Sequence, residues 1–99
     1  MSNSLPLAKL TRAIHSMAVS PKSIQDRLAS VYVESLNYIK PDDLPQDLRY
    51  RFTELLRKLT AVTSPEGNVI ATTRQMSEME AIELAQEIVY LFDAITPRA

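Results

Sequence analysis

Apolar residues recur along this chain at intervals of three and four, the spacing that gathers them on one side of a helix. Leu7, Leu10, Ile14 and Met17 form the first stripe, and Pro6 suits a first helical turn, so a helix is expected over about 6–18. Ile24, Leu28, Val31, Ser35 and Tyr38 form the second, widened by Tyr32, Leu36 and Ile39. Ser20 before Pro21 reads as a cap followed by a first turn, and a helix is expected over about 21–39. The connection from Ala18 to Pro21 is short enough to make these two helices neighbours.

The third stripe is the most regular: Leu44, Leu48, Phe52, Leu55, Leu59 and Val62 predict a helix over about 44–63. Asp43 with Gln46 reads as its capping box, and Pro41 breaks the chain ahead of it. The fourth stripe is Ala81, Ala85, Ile88, Phe92 and Ile95, broadened by Met79, Ile82, Val89 and Leu91. Ser77 with Glu80 gives its capping box and Thr96-Pro97 its end, so this helix is expected over about 78–95. Between the last two helices, the run Ser64 to Asn68 reads as a turn. The β-branched stretch Val69 to Thr73 is expected to be extended, either covering the open end of the core or staying mobile.

Four amphipathic helices of this length predict an all-α fold, a four-helix bundle of short antiparallel helices forming a single domain over residues 1–99. Composition narrows the chemistry. Gly67 is the one glycine in 99 residues, which excludes phosphate-cradling and dinucleotide-binding loops, since each needs two or three. There is no cysteine, so disulfides, thiol nucleophiles and thiolate metal sites are excluded, and a reducing compartment fits. No apolar run approaches the roughly 20 residues that cross a bilayer. Lys9, Arg12 and His15 interrupt the apolar residues a secretory leader would need. The expectation is a soluble, cytoplasmic protein.

The net charge of −1 conceals an uneven distribution. Residues 1–63 hold nine Lys/Arg against six Asp/Glu, a net +3. Residues 64–99 hold two against six, a net −4. No acid precedes Asp26. The first helix is therefore basic and acid-free, a pattern shared by membrane-surface helices, but a core helix of the bundle accounts for it more simply.

Two clusters stand out as candidate contact surfaces. Arg49, Tyr50, Arg51, Arg57 and Lys58 surround the third stripe and form a candidate partner-binding face. Glu80, Glu83 and Glu87 share one line of the fourth helix and form a candidate acidic contact face. A di-metal site in a bundle also needs Glu-x-x-His pairs, and the chain has one histidine and no such pair, so no metal or cofactor is expected. His15 has no partner nucleophile identifiable from its surroundings. Tyr32, Tyr38, Tyr50 and Tyr90 are many for so small a chain; Tyr and Arg are favoured at interfaces, and a core boundary with only the hydroxyls wet accounts equally well for Tyr32 and Tyr90.

These features point to a non-enzymatic protein–protein interaction module, a regulator, adaptor or inhibitor, with a homodimer compatible with it. The alternative is a weak nucleic-acid-binding protein that uses the basic face of the third helix, alone or doubled in a dimer, which the near-neutral total charge disfavours. An enzyme would require Glu83 or Glu87 to be buried with a raised pKa. A basic surface whose arginines proved paired within the chain would lose its appeal as a contact.

Overall fold

The computed structural model describes residues 4–97. Five α-helices follow one another: α1 Ser4–Val19, α2 Ile24–Glu34, α3 Gln46–Leu59, α4 Asn68–Gln75 and α5 Glu78–Ile95. The packing is all-α, with α2 and α5 at its centre. α2 packs against α1, α4 and α5, while α5 packs against α1, α2 and α3. One continuous core joins residues from every helix, with Phe52, Leu10, Leu28, Leu59 and Ile88 fully enclosed.

Each helix buries a face that its stripe announced, with small rotations. In α1 the deepest line is Pro6, Leu10, Ala13 and Met17, so the expected Leu7 and Ile14 lie half-buried at its edge. The core therefore claims the apolar side of this helix. Arg27 of α2 ties down the junction: its Nη1 donates to Met17 O (2.9 Å) and its Nε to Lys22 O (2.7 Å). A cation on the last carbonyls of a helix is favourable.

The expected start of the second helix at Pro21 is corrected. Ser23 is the cap, its Oγ accepting from Asp26 N at 3.1 Å, while Pro21 belongs to the connection. The expected end at 39 is also corrected, because α2 stops at Glu34. The chain tightens into a 3-10 turn, Leu36–Tyr38, and a second one, Pro41–Asp43. Pro41 forces Lys40 into an extended conformation (φ −96°, ψ 144°), so a helix cannot run through. Leaving the helical path lets Leu36, Ile39 and Leu44 all enter the core.

Asp43 does not cap the third helix. Its carboxylate accepts from Lys40 N at 3.0 Å and closes the turn before it, so α3 begins at Gln46 behind Pro45 without a side-chain cap. Leu48, Phe52, Leu55 and Leu59 form its buried line, as the stripe required. The helix ends at Leu59 rather than 63, and Thr60 hydrogen-bonds back to Leu56 O at 2.8 Å.

The turn forms as read. Gly67 N donates to Ser64 O at 3.1 Å, and Gly67 takes φ +119°, open only to glycine at low cost. The next segment corrects the expectation of an extended strand: residues 68–75 are the helix α4. Four β-branched residues lower its propensity, yet burial decides the outcome. Val69, Thr72 and Thr73 are enclosed against α2 and α3, so α4 does cover the end of the core, but as a helix.

In α5 the capping box is present in both directions: Glu80 N donates to Ser77 Oγ (3.0 Å), and Ser77 N donates to Glu80 Oε1 (2.9 Å). Gln25 at the start of α2 donates to Met76 O (3.3 Å), just ahead of α5. Since α2 begins where α1 ends, the end of α1 and the start of α5 share one end of the bundle. The two helices thus run in opposite directions where they pack.

Candidate interaction surfaces

α5 carries more apolar residues than one core face can take. Ala81, Leu84, Ile88, Leu91 and Ile95 are buried. Ala85 and Phe92, read from the sequence as core, are only half-buried, while Ile82, Val89 and Met79 are exposed. The expected stripe thus splits into a buried face and a second apolar line facing outward. That line meets Ile14, Met17 and Ala18 of α1 and Ile24 of α2, and together they form an open groove of about 790 Å³. Val89 is 50% exposed and Ile82 38%, so the groove is lined by hydrocarbon that faces water. Contiguous exposed apolar surface marks binding sites more often than isolated apolar residues do.

The two charged clusters form a different surface. α3 brings Tyr50, Arg51, Arg57 and Lys58, α5 brings Glu80, Glu83 and Glu87, and they line one groove of about 910 Å³. The structure unites what the sequence offered as separate faces, and within it the charges largely satisfy one another. Arg51 forks onto Glu87, with Nε to Oε2 and Nη2 to Oε1 both at 2.8 Å. Its guanidinium also lies over Tyr90, 3.9 Å from the ring centre. Arg57 pairs with Glu54 one turn away at 2.8 Å. That hydrogen bonding holds the Glu54 carboxyl below the usual carboxylate range, with Lys58 adding to the effect.

Arg49 does not join this groove. Its Nε donates to Leu44 O at 3.0 Å, so it stitches α3 to the preceding connection. Glu80 is held in the capping box, and the hydrogen bond from Ser77 N, then that from its hydroxyl, lowers its pKa. Glu83 and Lys58 are exposed, and Tyr50 is 75% exposed. The arginine–carboxylate fork spans 36 residues of sequence and had no local signature. The α5 surplus did have one: Met79, Ile82 and Val89 widened the stripe beyond a core face.

No described Asp or Glu is buried, and His15 is exposed on α1. No group of three or more His, Asp or Glu is placed to hold a metal among the described residues. Tyr38 lies under the Lys9 ammonium, 5.1 Å from ring centre to nitrogen, and Tyr32 is half-buried against the core. No described helix is long and apolar enough to cross a membrane. Comparison with protein-family models, with curated proteins and with solved structures returns no match.

Proposed function

We propose that this chain is a non-enzymatic protein–protein interaction module, acting in the cytoplasm, and that it binds through the apolar groove between α1 and α5. The observation that carries this reading is the second apolar line of α5. Half-exposed Val89 and Ile82 sit beside Ala85, Phe92, Ile14 and Ile24 with none of the described residues over them. Leaving such a surface in water costs about 25 cal/mol per Å² relative to covering it. A binding partner recovers that free energy, and a protein surface supplies matching hydrocarbon.

The charged groove supports a contact less well. Arg51 and Arg57 already hold carboxylates, and Arg49 holds a backbone carbonyl. A phosphate backbone would have to displace these partners, which weakens the nucleic-acid alternative. The non-enzymatic reading draws support from the solvated carboxylates. A general acid at neutral pH needs a raised pKa, whereas Glu54 and Glu80 shift down.

The test is capture from the lysate of the source cells by immobilised wild type and Val89→Glu, each with and without nuclease. Val89 is half-exposed, so the variant keeps its core. Proteins held by wild type irrespective of nuclease and lost with Val89→Glu are expected. Equal capture by both proteins, or loss of bound material on nuclease treatment, overturns the reading.

A further inference from the structure

We propose that α4 is a lid on the core: residues 61–76 leave α2 and α3 and unfold as one unit while α1, α2, α3 and α5 keep their structure. The segment is fastened lightly. α4 encloses Val69, Thr72 and Thr73, so a single aliphatic side chain leads its buried face, whereas α3 encloses Leu48, Phe52, Leu55 and Leu59. Its hydrogen bonds turn inward. Val62 N donates to Thr72 Oγ1 (2.8 Å), Ser64 N to Asn68 Oδ1 (3.1 Å) and Thr73 Oγ1 to Val69 O (2.9 Å), while Arg74 pairs with Glu66. Among the described residues, the side-chain hydrogen bond that reaches another helix is the long one from Gln25 Nε2 to Met76 O, at 3.3 Å.

Once undocked, α4 has little to keep it helical. It has 8 residues, and an isolated helix is marginal below about 12–15. Val69, Ile70, Thr72 and Thr73 are β-branched, Gly67 supplies no side-chain cap, and no acid in the first turn complements the helix dipole. The flanking helices do not depend on it. α3 closes on itself through Thr60, whose Oγ1 donates to Leu56 O (2.8 Å) and whose backbone N donates to Arg57 O (3.3 Å). α5 begins on its own capping box, Ser77 with Glu80. The opening therefore stops at both borders. Thr72, Gln75 and Met76 also wall the α3–α5 groove, which keeps that wall only while α4 is docked. The lid does not line the apolar groove, so it stands apart from the contact proposed there.

Native-state hydrogen exchange over a urea series, resolved amide by amide with NMR, tests this. The amides of Ala71 to Met76 are bonded within the segment. After correction for intrinsic rates they should exchange at least about tenfold faster than the slowest amides of α5. They should also share one urea dependence, shallower than that of α5, because a lid exposes less surface than the whole domain. Ile88→Val supplies the control. Ile88 is fully enclosed in α5, about three turns past Ser77. Removing its methylene should speed the slowest α5 amides about two- to tenfold and leave Ala71 to Met76 unchanged, because α5 is folded whether the lid is docked or open. Amides of α4 as slow as those of α5, or accelerated with them by Ile88→Val, overturn the lid. Unequal urea dependences from Ala71 to Met76 overturn the single unit.

Discussion

Thr72 and Thr73 are adjacent, both buried in α4, and should respond in opposite ways to the same substitution. Thr72 Oγ1 accepts the backbone N–H of Val62 at 2.8 Å, tying the chain after α3 to α4. Thr72→Val keeps the volume and removes the acceptor, leaving a half-buried donor without a partner. Such a loss costs about 1–3 kcal/mol, and partial access to water around Val62 places it in the lower half of that range. Thr73 Oγ1 instead donates to Val69 O (2.9 Å) and Ile70 O (3.2 Å), carbonyls that belong to α4's own ladder. Thr73→Val strands nothing and replaces a hydroxyl by a methyl in the core, a change expected within about 0.5 kcal/mol of neutral. For a domain of this size, 1 kcal/mol moves the melting temperature by about 4–8 °C. Circular dichroism melts and urea titrations of the two variants give the comparison directly. If Thr73→Val is as destabilising as Thr72→Val, the assignment of the Val62 contact as the tie that matters is wrong.

Three further outcomes follow from the same structure. Gly67→Ala should cost about 1–3 kcal/mol in a urea titration from backbone strain alone, because φ is +119° while an added Cβ meets nothing closer than Ile70 Cδ1 at 3.8 Å. A neutral result would show that the turn relaxes. Glu54 and Glu80 both have folded pKa values below their unfolded ones, near 4.5, so their contribution is present above that pH and is lost as pH falls through the folded values. Melts below pH 4.5 should therefore decline less steeply for Glu80→Gln than for wild type, and an identical slope would discount the capping carboxylate. Arg51→Ala and Glu87→Ala should couple in a double-mutant cycle at low salt, and the coupling should shrink at high salt because both side chains reach solvent. Independent effects at low salt would show that the fork does not persist in solution.

Elements with both a stripe and an end signal were legible in the chain. α5 begins at Ser77 because a hydroxyl and a carboxylate three residues apart satisfy each other's backbone N–H, a local fact. α3 was legible from Leu48, Phe52, Leu55 and Leu59, but Asp43 was misread, since an acid three residues ahead of a glutamine can equally close the turn before it. α4 was not legible because its local preferences oppose its structure. Val69, Ile70, Thr72 and Thr73 favour extended backbone singly, and only their enclosure by α2 and α3 makes a helix the better choice. α2 reads as longer than it is because Leu36 and Ile39 fit a helical spacing while reaching the core by another path.

The surfaces divide in the same way. Arg51 and Glu87 were each visible as candidates, yet nothing in their local sequence announces that they join, because the pairing depends on how α3 meets α5. The apolar groove was present as excess width in the last stripe. Width alone does not distinguish a broad core face from two faces, and that distinction needed the position of α1.

The groove as a protein contact is tested most directly by a photoreactive phenylalanine placed at Val89, compared with one at Lys58 in the charged groove, each expressed in the source cells and irradiated. Both positions are exposed, so neither probe disturbs the core. Protein adducts at position 89 and few at position 58 are the predicted result. Adducts at position 58 with none at position 89 would contradict it and move the contact to the arginine–carboxylate groove.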